Sequence, residues 1–112
     1  MRRLIVFVLP LVLLFAGARL DAQVTASSIY GTVTDTTGAV VPGVEVKVTQ
    51  QETNFTRTVL TDEVGKYNFN VLPLGTYRVD ISSPGFKRFS QIGVVLEVNR
   101  NARVDAVIEV GD

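Results

Sequence analysis

The chain has 112 residues with 11 basic and 11 acidic side chains, 46% apolar and 8% aromatic residues. That length suits one small domain, and a formal charge of zero supplies no general pull toward nucleic acid or anionic lipid. Cysteine and histidine are both absent, which excludes disulfides, thiolate or imidazole zinc sites, and every acid–base or nucleophilic scheme that depends on either residue.

Arg2 and Arg3 open the chain, Leu4 to Phe15 form an apolar run broken only by Pro10, and the small residues Ala16, Gly17 and Ala18 follow. This is the order of a secretory signal peptide, predicted over residues 1–22 with a helical apolar part. A spanning helix needs about 20 apolar residues, and Arg19 and Asp21 end this run first. Cleavage after Ala18 and after Ala22 both fit, and the longer leader is taken as the boundary. Its removal leaves 90 residues with a net charge of −2, a further argument against nucleic-acid binding. Residues 23–27 read as a short linker.

From there a two-residue apolar period runs to the end of the chain. Val44, Val46 and Val48 alternate with Glu45, Lys47 and Thr49. Tyr67, Phe69 and Val71 alternate with Asn68 and Asn70, and Tyr77, Val79 and Ile81 with Arg78 and Asp80. Leu96 and Val98 flank Glu97, while Val104, Ala106, Ile108 and Val110 share a face opposite Asp105 and Glu109. The period predicts half-buried strands near 29–35, 44–51, 56–61, 66–71, 76–82, 86–91, 94–98 and 103–110. Turn residues separate them: Asp35-Thr36-Thr37-Gly38, Pro42-Gly43, Asp62-Glu63-Val64-Gly65, Leu72-Pro73-Leu74-Gly75, Pro84-Gly85 and Asn99-Arg100-Asn101. Strands this short at this spacing predict an all-β, antiparallel, Greek-key-type β-sandwich of seven or eight strands over residues 28–110. Tyr67, Phe69, Tyr77 and Val79 are its expected core, and Gly31 inside the first strand marks a bulge or the close approach of another backbone.

The same residues carry a resemblance. Ile29-Tyr30-Gly31-Thr32-Val33-Thr34-Asp35, Pro42-Gly43-Val44-Glu45-Val46, Thr61-Asp62 with Gly65-Lys66-Tyr67-Asn68-Phe69, Leu72-Pro73-Leu74-Gly75-Thr76-Tyr77-Arg78-Val79 and Pro84-Gly85-Phe86-Lys87 follow one another in order. In combination they resemble the carboxypeptidase regulatory-like domain. The resemblance implies a transthyretin-like sandwich related to the carbohydrate-binding-like fold. With a leader in front, it is also similar to the N-terminal extension of Oar-like TonB-dependent outer-membrane receptors. A 22-stranded barrel with about 10 residues per strand exceeds this length, so the expectation is the extension, or a free-standing copy of it, and not the transporter.

Function follows as a set of expectations. Asp35 with Gly38, and Asp62 with Glu63 and Gly65, place oxygens at tight turns, but calcium takes six to eight oxygen ligands and chain reversal accounts for both. Asn54-Phe55-Thr56 reads as a polar loop rather than a glycosylated one. The carboxylates fall in turns or on outward strand positions with no pair singled out, so neither catalysis nor a cofactor or metal is expected. The expected role is an exported, non-catalytic interaction module, in the periplasm, at the outer membrane or secreted. Its expected partner is a protein such as a receptor plug or barrel domain, with no membrane insertion of the mature domain. Strand edges are the expected contact, the first and last strands being the natural ones. Carbohydrate binding is the alternative. Tyr30, Phe55, Phe86 and Phe89 are the aromatics least tied to the alternation. Phe86, Lys87, Arg88 and Phe89 form the candidate contact for a ligand or partner, an aromatic beside two cations, although a hydrophobic ring just after a turn more often caps the open end of a sandwich.

Overall fold

The computed structural model describes residues 26–111; the leader, both cleavage positions and residues 23–25 lie outside the described residues. Eight strands follow in chain order: β1 (Ala26–Asp35), β2 (Glu45–Gln50), β3 (Thr56–Leu60), β4 (Lys66–Pro73), β5 (Gly75–Ser82), β6 (Phe89–Leu96), β7 (Ala102–Arg103) and β8 (Ala106–Ile108). One sheet runs β4-β1-β7, with β8 also paired to β1, and the other runs β3-β2-β5-β6. The chain crosses between the layers after β1, β3, β4 and β6, which gives the expected all-β sandwich.

The alternation works as a device for filling the interior. Val44, Val46, Val48, Tyr77, Val79 and Ile81 from one sheet meet Ile29, Val33, Tyr67, Phe69, Ala106 and Ile108 from the other, all buried. Each of the larger aliphatic and aromatic side chains among them contributes about 1.5–3 kcal/mol relative to exposure, enough to decide which face of a strand turns inward. Tyr67 and Phe69 meet edge to face with centroids 5.9 Å apart, and both tyrosines satisfy their hydroxyls: Tyr67 donates to the Val104 carbonyl at 2.5 Å and Tyr77 to the Pro73 carbonyl at 2.6 Å. Gly31 is the close approach that its place in a strand implied, lying directly against the Val104 backbone.

Four departures from the sequence pattern have local causes. Val71 does not join Tyr67 and Phe69 in the core; it is 70% exposed, and Leu72 is buried in its place. The backbone at Val71 adopts φ 59°, beside a register shift of the β1–β4 pairing between Ser27 and Ile29, and one extra residue in a strand reverses the facing of all that follow. The strands expected at 86–91 and 94–98 are one strand, β6, continued through a bulge at which Gly93 takes φ 74°. Val98 and Val110 are exposed because pairing has ended before each: Val98 lies in the turn closed by the Glu97–Arg100 bridge, and Val110 makes only an isolated bridge to Phe86. Finally, β1 is not an edge. It lies between β4 on one side and β7 and β8 on the other, and runs parallel to the last two, whereas the other strand pairs are antiparallel.

A β-branched residue at positive φ is strained by about 1–2 kcal/mol, and Val71 buries little in return. Val71→Asn is therefore expected to raise unfolding stability by about 1 kcal/mol, asparagine tolerating this backbone region. Urea titration reads the shift; a lower midpoint for the variant would contradict it.

Candidate functional site

The two acidic turns use their carboxylates on their own backbone. Asp35 Oδ1 accepts the Thr37 hydroxyl at 2.6 Å and the N–H groups of Thr37 at 2.8 Å and Ala39 at 3.1 Å. Asp62 Oδ1 accepts the N–H groups of Val64 and Lys66, both at 2.9 Å. Bonds to the Thr37 side chain and backbone hold the Asp35 carboxyl below its ordinary range, and bonds from the Lys66 and Val64 N–H groups do the same for Asp62. Both are Asx turns.

The Phe86–Phe89 segment is divided by the fold. Phe86 is half-buried against the core at one end of the sandwich, where it bridges Val110. Around it the Lys87 N–H donates to the Glu109 carbonyl at 2.7 Å and the Gly111 N–H to the Gly85 carbonyl at 3.0 Å. The Lys87 ammonium lies 3.6 Å from Glu109 Oε1. This segment thus clasps the last residues described. Phe89 opens β6 and is half-buried as well, while Lys87 and Arg88 are exposed. Lys87, Arg88 and Phe89 share a small cleft of about 150 Å³ with Val107, Ile108 and Glu109.

On the outer face of the β3-β2-β5-β6 sheet, Asp80 stands opposite Lys47 and accepts Arg78 Nε at 2.8 Å and the Ser90 hydroxyl. Burial opposes its ionisation, but Ser90 and Arg78 outweigh burial and hold the carboxyl below its ordinary range. Asp80 lines, with Glu45, Lys47, Arg78, Ser82 and Arg88, a depression of about 210 Å³.

The edge of that sheet is β6. The Gln51 N–H bonds to the Thr76 carbonyl at 2.8 Å, which turns the even-numbered residues of β5 toward β2 and leaves Tyr77, Val79 and Ile81 to face β6. Their partners are Val94, Gln91 and Phe89. Ser90, Ile92 and Val95 therefore direct their N–H and C=O groups away from β5, and among the described residues no strand pairs with that side. Ile92 is 69% and Val95 54% exposed. The opposite edge, β3, is shorter, and Arg57 Nη1 ties it to β4 by donating to the Asn70 carbonyl at 2.6 Å. Sequence reasoning missed β6 as a continuous edge because Gly93 reads as a break; a lone glycine between apolar residues is equally the mark of a bulge.

The family model of the carboxypeptidase regulatory-like domain matches residues 28–109. Among solved structures the chain is similar to the Bacillus anthracis TIE protein at 20% identity and TM-score 0.66, over 77% of this chain and 17% of that one. It is similar to a type II cohesin–X-dockerin complex from Acetivibrio cellulolyticus at 19% identity and TM-score 0.61, over 77% and 59%. A candidate carbohydrate binding protein from Bacteroides uniformis matches at 25% identity and TM-score 0.60, over 74% and 41%. The first two likenesses are of fold alone, and the chain spans less than two thirds of each of these three structures. No curated protein matches.

Proposed function

The chain belongs to the carboxypeptidase regulatory-like domain family, and from that premise we propose that it is a non-catalytic interaction module of the cell envelope that takes up a strand of a protein partner along β6. The observation that carries this reading is the unpaired outer side of β6, with Ile92 and Val95 exposed beside it. A partner strand laid there gains main-chain hydrogen bonds from Ser90, Ile92 and Val95, and its alternate side chains pack on the two aliphatic ones. The bulge at Gly93 limits the match to strands that follow its twist. A non-catalytic role is supported by a sequence without His or Cys and by aspartates already engaged: Asp35 and Asp62 by backbone, Asp80 and Asp105 by arginines. The leader-like start and the resemblance to receptor extensions favour the periplasmic side of a TonB-dependent outer-membrane receptor, with its plug or barrel domain as the partner.

Photo-cross-linking in cells tests the reading, with the reactive residue at position 95 or, for comparison, at position 58 on β3. We expect an adduct with the receptor from position 95 that falls at least about tenfold when Ile92→Lys is added, a lysine on an edge opposing strand pairing. Equal adducts from both positions, or none from position 95, would overturn it.

A further inference from the structure

We propose that the outer face of the β4-β1-β7 sheet binds a saccharide carrying a carboxylate, a uronic-acid unit of a glycan, on a platform made by Tyr30, Asn68 and Arg103. Tyr30 points outward from the middle strand and is 38% exposed. Its partner on β4 is Asn68 and its partner on β7 is Arg103. The Val33 N–H bonds to the Gly65 carbonyl at 2.8 Å, so two residues at a time along β1 the pairing alternates and Tyr30–Asn68 is a non-hydrogen-bonded pair, the kind with the closer side chains. On the other side the Arg103 guanidinium lies 5.8 Å from the ring centroid.

Arg103 is held in this position. Its Nε donates to Asp105 at 3.0 Å and 3.2 Å, and Asp105 Oδ1 also accepts the Thr32 N–H at 2.9 Å. One carboxylate thus fixes the guanidinium to the backbone of the central strand. Among the described residues neither Nη of Arg103 meets a protein acceptor, so the outer fork of the guanidinium is presented beside an exposed ring. A planar fork accepts a carboxylate in bidentate fashion, a tyrosine ring gives the C–H face of a sugar an apolar surface with a polar tip, and the Asn68 amide both donates and accepts toward hydroxyls. Asn68 and Arg103 stand two strand spacings apart, about 10 Å, with the ring between them. On this face Asp105 is paired with Arg103 and Glu109 with Lys87, while Lys66 adds a cation on β4, so the open fork of Arg103 is the group that favours an acidic glycan. The platform does not depend on β6, which lies in the other sheet.

Titration calorimetry with the full exported chain in about 0.15 M salt tests the platform, using oligogalacturonate, a neutral malto-oligosaccharide and polyglutamate as probes. We expect saturable binding of oligogalacturonate only. Tyr30→Ala and Arg103→Lys should each weaken it at least about tenfold, with Tyr30→Phe close to the parent and circular dichroism unchanged in all three. Ile92→Lys should leave it intact, which separates this site from the strand-capturing edge. Absence of oligogalacturonate binding, equal binding of polyglutamate or of the neutral oligosaccharide, or indifference to Tyr30→Ala would each overturn the proposal and leave Tyr30–Arg103 as a surface stack.

Discussion

Gly31→Ala is expected to cost about 3–5 kcal/mol of unfolding stability, a large part of the margin of a domain this small. Gly31 sits in the middle of β1 where a Cβ would overlap the Val104 carbonyl oxygen and stand 2.7 Å from its carbon and 3.0 Å from the Tyr67 hydroxyl. Backbone, not a flexible side-chain end, occupies that space, so relief requires the segment joining β7 and β8 to move off β1. That movement would also break the bond from the Val104 N–H to the Tyr30 carbonyl at 2.8 Å and the bond from Tyr67 to the Val104 carbonyl. Overpacking by one methyl in a relaxed site costs about 1–3 kcal/mol; the loss of two buried hydrogen bonds adds to it. A domain with a margin of about 5–15 kcal/mol has little left. Gly38→Ala is the comparison, since Gly38 needs its left-handed φ of 92° but has open space around it, and about 1 kcal/mol is expected there. Chemical denaturation of both variants decides; similar midpoints for the two would show that Gly31 is not the tight contact described.

Tyr67→Phe is expected to cost about 1–3 kcal/mol near neutral pH, the penalty for leaving a buried acceptor without its donor, and to change the alkaline limb of the stability curve. Burial first, and the Asp105 carboxylate second, push the Tyr67 hydroxyl well above the ordinary tyrosine value of 10.0. Between about pH 10 and the folded value the unfolded chain releases this proton and the folded one keeps it. The stabilisation is therefore complete below pH 10 and is lost as pH rises beyond it. Tyr77 is raised in the same direction, chiefly by burial, so the Tyr67→Phe variant should retain a shallower alkaline decline rather than none. Unfolding midpoints measured from pH 7 to 11 in the parent and the variant give the difference directly. Parallel curves across that range would mean that Tyr67 ionises as freely in the folded chain as in the unfolded one.

Inward facing was legible wherever it depends on neighbours one or two residues away. The alternation at Val44–Val48 and Tyr77–Ile81 specifies a half-buried strand because side chains in extended backbone point to opposite faces in turn, and Asp35–Gly38 specifies a turn because an aspartate and a glycine meet its dihedral and hydrogen-bond needs locally. Those features yielded the sandwich, the aromatic core and the tight contact at Gly31. Val71 resisted the same reasoning, since a single residue in a left-handed conformation reverses the facing of its strand and nothing in the adjoining residues announces it. The candidate surfaces were less legible still. For Phe86 the sequence offered both a ring capping the open end and an exposed contact, and its bridge to Val110, 24 residues later, and its packing against the core are features of the tertiary structure.

What the amino-acid order determined by itself, then, is extended backbone, its breaks, and the absence of imidazole and thiol chemistry, all of which are properties of composition or of short windows. Only the tertiary structure decided that β1 is enclosed on both sides, that β6 runs unbroken along an open edge, and that Arg103 comes to lie over Tyr30, 73 residues away in the chain. Strand order is a contest between pairings of distant segments, settled by which arrangement buries the most apolar surface while satisfying the backbone, and no short window of residues contains both competitors.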